Sequence, residues 1–194
     1  MSKRLFLKKF LFNNRETGSI MPSSKTLANK MVKKKYIENS NVIIELWAWW
    51  WIFTKYIFEY SENKLDEKKI FIIEKDKDFY ELLLLKFPQY SDCIYNIDVL
   101  DLDKLLIENN IKHIDLVISW LPFKSLPKEI YDFLMIDLFK KYFTKNTLFV
   151  QFSYFKNFIN DLSQVFENIN ISKCLFNIPS AYVFECNLLK NEKK

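Results

Sequence analysis

The sequence predicts an α/β fold: a seven-stranded, mostly parallel sheet with helices on both faces and a C-terminal antiparallel strand. Three observations predict it. From residue 42 onward, short apolar runs alternate with helical stretches, the layout of strands joined by crossover helices. Ile70-Phe71-Ile72-Ile73 and Leu116-Val117-Ile118 are apolar at every position, which suits strands covered on both sides. The last two runs, 172–176 and 181–186, read as an antiparallel pair that closes the sheet.

Taken in order, residues 3–13 read as a short amphipathic helix. Phe6, Leu7, Phe10 and Leu11 gather on one face, Arg4, Lys8 and Lys9 flank it, and Leu5 and Phe12 fall off it. Such a helix suits an anionic bilayer as well as it suits packing on its own domain. Gly18-Ser19-Ile20-Met21-Pro22-Ser23-Ser24 is a turn into a helix that Ser23 or Ser24 caps. That helix runs to about residue 35, with Lys33-Lys34-Lys35 as its solvated end. These residues make an N-terminal segment, 1–35, ahead of the main domain, 36–194.

In the main domain the first strand is 42–46 and a helix covers 52–60. The second strand, 70–73, ends at Glu74-Lys75-Asp76 and leads to a helix at 77–87. A third strand near 93–97 ends at Asp98, before a helix at 101–109. The fourth, 116–119, ends at Ser119. A long helix at 128–143, a fifth strand at 148–153 and a helix at 155–167 precede the closing pair.

Composition narrows the functions open to this fold. With 194 residues, 49% hydrophobic and 18% aromatic, the chain can bury a proper core and is not generally disordered. The net charge of +5 is mild; it is compatible with an anionic membrane surface or a nucleic acid and demands neither. Cys93, Cys174 and Cys186 are odd in number and lack C-x-x-C spacing, so they read as reduced core thiols of a cytoplasmic protein. His113 is the sole histidine, expected at a surface or loop position, so no metal site or histidine triad is expected. The most apolar window, 42–53, is shorter than the roughly 20 residues a spanning helix needs, and it contains Glu45. The N-terminal apolar triplets are split by Lys8-Lys9 and lack a small-residue cleavage site, which argues against a signal peptide.

The chemistry concentrates in Val42-Ile43-Ile44-Glu45-Leu46-Trp47-Ala48-Trp49-Trp50-Trp51-Ile52-Phe53-Thr54. With glycine at positions 47, 49 and 51 this reads E-L-G-A-G-x-G-I-F-T. That pattern resembles the cofactor-binding loop of class I S-adenosylmethionine (SAM) methyltransferases. A loop turning tightly off a strand, with a nucleotide against its backbone, calls for residues that lack a Cβ and tolerate positive φ. Tryptophan meets neither demand. The chain has Gly 1 and Trp 5, against a usual glycine share of about 7%, and the fifth tryptophan stands in Ser119-Trp120-Leu121-Pro122. We therefore read these tryptophans as UGA codons that the source's own genetic code assigns to glycine. A Lys-, Asn-, Ile- and Phe-rich composition fits the AT-rich genome in which such reassignment is plausible. The competing reading is real tryptophans in an aromatic core or membrane-interface cluster.

Ligands of doubly wound sheets bind outside the carboxyl ends of the strands, so the strand ends count as a set. Glu45 and the loop residues Trp47, Ala48, Trp49 and Trp51 end the first. Glu74, with Lys75, ends the second, near the roughly 20-residue offset at which an acid grips ribose hydroxyls; a carboxylate can accept both hydrogen bonds of a diol. Asp98, with Val99, ends the third, placed for an adenine amino group. Ser119 ends the fourth, beside the expected reactive methyl.

From about residue 5 to 188 the chain resembles the bacterial phospholipid N-methyltransferase-like family, whose fold is a Rossmann-like class I methyltransferase sheet. The likeness rests on Phe10-Leu11, the segment Gly18 to Ser24 followed by Leu27-Ala28, Ile73-Glu74-x-Asp76-x-x-Phe79-x-x-x-Leu83, Phe87-Pro88, Asp98-Val99-x-Asp101-Leu102 and Asp115 to Phe123. G-x-x-x-P-S-S together with S-x-L-P is its most specific part. The resemblance implies SAM as cofactor, stepwise methylation of a phosphatidylethanolamine-like phospholipid nitrogen, and peripheral attachment at the inner face of the membrane through the N-terminal helix. It also implies a substrate cap at Pro22, Ser23, Ser24 and Phe123.

Methyl transfer from a sulfonium is an in-line displacement that needs its nucleophile held at attack distance. With no histidine nearby as base, positioning falls to Ser119, the Leu121-Pro122-Phe123 backbone and Tyr154, with water taking the proton. Two rival functions share the fold. One is an RNA adenine N6-methyltransferase, whose N-L-P-[YF] motif is here S-x-L-P-F. The other, if the tryptophans are real, is an inactive methyltransferase-like binding module.

Overall fold

The computed structural model describes residues 22–48, 51–174 and 181–189. The expected helix at 3–13, the turn at 18–21, Trp49 and Trp50 lie outside these residues. Seven strands, β1 (Val42–Leu46), β2 (Lys69–Ile73), β3 (Ile94–Tyr95), β4 (Ile114–Ser119), β5 (Phe143–Ser153), β6 (Phe166–Cys174) and β7 (Ala181–Leu189), form one sheet in the order β3-β2-β1-β4-β5-β7-β6. β1 to β5 pair in parallel, and β7 runs antiparallel between β5 and β6.

The pleat sorts successive side chains into two cores. Ile43, Ile70, Ile72, Leu116, Ile118 and Val150 face α1 (Pro22–Met31), α2 (Lys34–Glu38), α3 (Ile52–Ser61) and α4 (Lys77–Lys86). Ile44, Leu46, Phe71, Ile73, Val117 and Phe149 face α5 (Leu102–Glu108), α6 (Lys128–Asp132) and α7 (Ile159–Val165). Both faces of the central strands are covered, which is why those strands are apolar throughout. α6 continues through a π-helical stretch, Phe133–Leu138, into a last α-helical turn, Phe139–Tyr142.

Local chemistry explains most boundaries. Asp76 caps α4, its Oδ1 accepting from the N–H of Asp78 (3.0 Å) and Phe79 (3.4 Å). α5 ends in a Schellman motif: Asn110 takes φ 57°, its N–H reaches the Ile107 carbonyl, and the Ile111 N–H reaches that of Leu106. His113 is more than half exposed in the following loop, 3.6 Å from Asp115.

Four expectations need correction. The helix expected to run to residue 35 starts at Pro22, a residue suited to a first helical turn, and stops at Met31. Lys33 then precedes a separate helix, where it pairs with Glu185 of β7 and donates to the Tyr36 hydroxyl at 3.0 Å, so it is no solvated helix end. β3 is only two residues long, and Asp98 lies beyond it as the cap of a 3-10 turn, Val99–Asp101. β5 and β6 begin at Phe143 and Phe166, several residues earlier than expected, directly where the preceding helices end at Tyr142 and Val165. The cause is aromatic packing: the Phe143 ring stacks on Phe139 at 4.1 Å between centroids, and Phe166 on Phe149 at 5.6 Å. Such side-chain packing outweighs local helical preference.

Phe149 is fully buried and touches the rings of Phe123, Phe139 and Phe166. Phe149→Ala is expected to lower unfolding free energy by about 3–5 kcal/mol, read from urea denaturation; a loss below about 1 kcal/mol would show that this aromatic cluster does not carry the core.

Candidate active site

At the carboxyl ends of β1, β2 and β4 the parallel ladder continues past the last strand residue. The N–H groups of Trp47 and Ala48 both reach the Ile73 carbonyl, at 3.0 and 3.3 Å. The Trp120 N–H donates to Leu46 (3.1 Å), and the Glu74 N–H to Tyr95 (3.1 Å). The Asn96 amide donates to the carbonyls of Glu74 and Lys75, at 2.9 and 3.0 Å, tying the loop after β2 to the loop after β3. The loops that leave this edge of the sheet are thus fixed against one another.

They enclose a cavity of about 610 Å³, inside the usual range of about 300–1,000 Å³ for small-molecule sites. Its wall is apolar at Ile73, Ile97, Val99, Leu126 and Ile130 and carries three acids, Glu74, Asp76 and Asp98. Glu74 is fully buried, and its Oε1 accepts from the Asp76 N–H at 2.8 Å. Asp98 is partly buried, which alone would raise its pKa. The Lys75 ammonium and the Leu100 and Val99 amides outweigh that and hold the carboxyl below its usual value, so it is an anion. Apolar walls for a base and acids for hydroxyl and amino groups are what a nucleoside-bearing cofactor requires.

Trp47 stands on this wall with φ 66°. A residue with a Cβ in that left-handed region costs roughly 1–2 kcal/mol, a cost glycine escapes. Beneath the loop, Glu45 is completely buried on the α3 side of β1, where the Thr54 hydroxyl donates to its Oε2 at 2.7 Å. Burial, partly opposed by that hydrogen bond and reinforced by the nearby Glu74 carboxylate, pushes the Glu45 pKa up to about 8.

A second cavity of about 320 Å³ adjoins the first, because Trp47, Leu121 and Pro122 line both. Its wall is largely aromatic, with Trp120, Phe123, Phe152, Tyr154, Phe155 and Phe158. Gln151 reaches it from β5, and its Nε2 donates to the Leu121 carbonyl at 2.9 Å. Lys124 donates to Asn157 Oδ1 at 2.9 Å and joins the two loops that frame the mouth.

Of the cofactor residues expected from sequence, Trp47, Glu74, Lys75, Asp98 and Val99 meet in the first cavity. Glu45 and Ala48 are buried behind it. Trp51 precedes α3, with the Lys86 ammonium 4.2 Å from its ring centroid, and lines neither cavity. Leu121 and Pro122 border both cavities; Tyr154 and Phe123 border the second. Ser119 is fully buried and outside both walls. Its Oγ accepts from the Leu121 N–H at 3.1 Å, a contact within the turn that follows β4. Pro22, Ser23 and Ser24 form the start of α1. The sequence reading missed Gln151, Phe152, Leu126 and Ile130, although Gln151 and Phe152 come from the end of a strand, where the same rule would have found them.

This strand order, with its cavity at the carboxyl edge, defines a class I SAM-dependent methyltransferase. Solved structures share the fold. An SAH-bound methyltransferase of Podospora anserina superposes with a TM-score of 0.58 at 10% identity, covering 97% of each chain. A methyltransferase of Geobacter sulfurreducens gives 0.57 at 10% identity, covering 97% of this chain and 92% of that one. In sequence, the chain is 30% identical over 179 residues to the ornithine lipid N-methyltransferase of Singulisphaera acidiphila, covering 86% of this chain and 90% of that protein. No protein-family model matches the chain. It belongs, with that relative, to the bacterial phospholipid N-methyltransferase-like family. Among the described residues no helix is long and apolar enough to cross a membrane.

Two predictions follow from the loop. Trp47→Gly relieves the backbone and clears the cavity wall, so calorimetry should show SAM bound at least tenfold more tightly; equal or weaker binding would mean the indole belongs there. The intact mass of protein made by its own source tells five indoles from five glycines. For Glu45, the folded state keeps a proton up to about pH 8 that an unfolded chain releases near the ordinary 4.5. The folded state therefore binds more protons in that window, and the neutral carboxyl's contribution, complete below about pH 4.5, is lost as pH rises through 8. Urea midpoints should fall between pH 5 and 8, and Glu45→Gln should flatten that fall; an unchanged slope would place the titration elsewhere.

Proposed function

We propose that the protein transfers methyl groups from SAM to the nitrogen of a phospholipid amine, of phosphatidylethanolamine type, at a membrane surface. The observation that carries this reading is the pair of cavities meeting at Trp47, Leu121 and Pro122, one suited to the cofactor and the other apolar and open beside exposed aromatics. The Singulisphaera relative is named for an ornithine lipid, which supports a lipid amine as acceptor.

Glu74 would hold the ribose diol, Asp98 the adenine amino group, and Ile97, Val99 and Ile130 the faces of the base. When bound, SAM supplies a methyl group carried on a sulfonium. The chain's own task is then positional. Ser119 Oγ holds the Leu121 N–H, the Gln151 amide holds the Leu121 carbonyl, and together they fix the partition between the two cavities. The aromatic wall strips water from the incoming amine, which favours its neutral, nucleophilic form. We further propose that the working enzyme carries glycine at position 47, where the backbone is already left-handed.

The mouth supports a membrane-facing orientation. Phe155 is 61% and Tyr154 43% exposed on the loop after β5, and Lys124 and Lys156 are exposed beside them. Aromatics among cations suit the interface of an anionic bilayer. Three free thiols agree with a reducing cytoplasmic setting. The expected N-terminal membrane helix would add to this contact.

With SAM and vesicles containing phosphatidylethanolamine, mass spectrometry should detect the N-methylated lipid; methylation of ribosomal RNA with no lipid product would overturn the reading. Phe155→Ser should weaken co-sedimentation with anionic vesicles about tenfold, the loss of one buried aromatic side chain, while SAM affinity stays unchanged. Undiminished binding would turn this mouth away from the bilayer.

A further inference from the structure

We infer that the side-chain carbonyl of Gln151 receives an N–H of the acceptor amine and so orients its lone pair. This rests on the lipid-amine reading above. Gln151 is 1% exposed, in the stretch of β5 that pairs with Ser119 of β4 on one side and Phe184 of β7 on the other. Its Nε2 donates to two carbonyls, Leu121 at 2.9 Å and Phe152 at 2.6 Å. The two contacts settle which end of the amide is which, since a flipped group would set its oxygen against both carbonyls. Oε1 is left as a buried acceptor with no hydrogen-bond partner among the described residues. Native structures seldom leave such an atom unmatched unless something else matches it.

Gln151 lines the second cavity together with Leu121 and Pro122, the residues that also border the cofactor cavity. An amine held there donates its N–H to Oε1, which leaves its lone pair free for the methyl carbon. The lone pair forms the N–C bond as the C–S bond breaks, and the electrons of that bond remain on sulfur. The nitrogen becomes an ammonium, its N–H···O bond to the amide strengthens with the charge, and the proton passes afterwards to water.

The inference makes the value of Gln151 depend on how many N–H groups the acceptor has. A primary amine has two, a monomethylated amine one, and a dimethylated amine none. Rates at saturating SAM are measured with aminolipids in these three states for wild type, Gln151→Leu and Gln151→Ala; where wild type does not turn a lipid over, its inhibition constant is measured instead. Both variants also lose the amide's bond to Leu121, a loss common to all three lipids, so we expect the primary and monomethylated lipids to lose about tenfold more than the dimethylated one. Equal losses on all three lipids, the result of a packing role alone, would overturn the inference, as would no loss on any. No turnover by wild type on any aminolipid would instead remove the lipid-amine reading, and this inference with it.

Discussion

The active site depends on one backbone turn. Leaving β1, the chain must reverse direction within a residue or two while staying attached to β2, and it does so by sending the N–H groups of Trp47 and Ala48 into the Ile73 carbonyl. That bifurcated anchor forces residue 47 to a positive φ and sets it on the wall of both cavities. The position is therefore constrained twice, in its backbone by the anchor and in its side chain by the two spaces it borders. Glycine satisfies both constraints at once, and an indole satisfies neither.

Charge around the turn is arranged by burial. Glu45 and Glu74 both lie inside the protein, and the Glu74 carboxylate adds to the rise in the Glu45 pKa. At Glu45 burial against the apolar underside of the sheet outweighs the opposing Thr54 hydrogen bond, so this carboxyl stays protonated near neutral pH. Glu74 faces the cavity and accepts a backbone N–H, which suits a carboxylate awaiting a diol. Farther out, the anion at Asp98 is balanced by Lys75, whose own pKa is raised by that contact.

The fold was legible because its central strands β1, β2 and β4 are short and almost wholly apolar. β1 was read to the residue, and Glu74 and Asp98, picked out by the strand-end rule, both line the first cavity. What escaped was decided by packing. Phe143 and Phe166 belong to segments that could continue a helix, and only the rings they stack on in the folded state commit them to strands. Gln151 escaped for a related reason. Between Val150 and Phe152 it looks like one polar residue in a strand, and only the neighbouring turn at Leu121 shows where its amide is spent. Ser119 was chosen for its place at a strand end, yet its hydroxyl is turned into the Leu121 backbone, a direction that residue type does not reveal.

The absence of a base near the second cavity is less of an obstacle than the sequence suggests. Among the described residues lining it, the ionisable side chains are Lys124 and Tyr154, and no carboxylate is present to hold an ammonium ion. On the lipid-amine reading, an amine leaving water for this space meets no carboxylate among the described lining residues, and desolvation favours its neutral form. On that reading deprotonation accompanies binding, with water taking the proton. What remains for the protein is direction: a lone pair must point through the partition at Leu121 and Pro122, and N–H bonds must point away from it. A rigid carbonyl acceptor serves that purpose better than a base would, because it stays in place after the proton has gone.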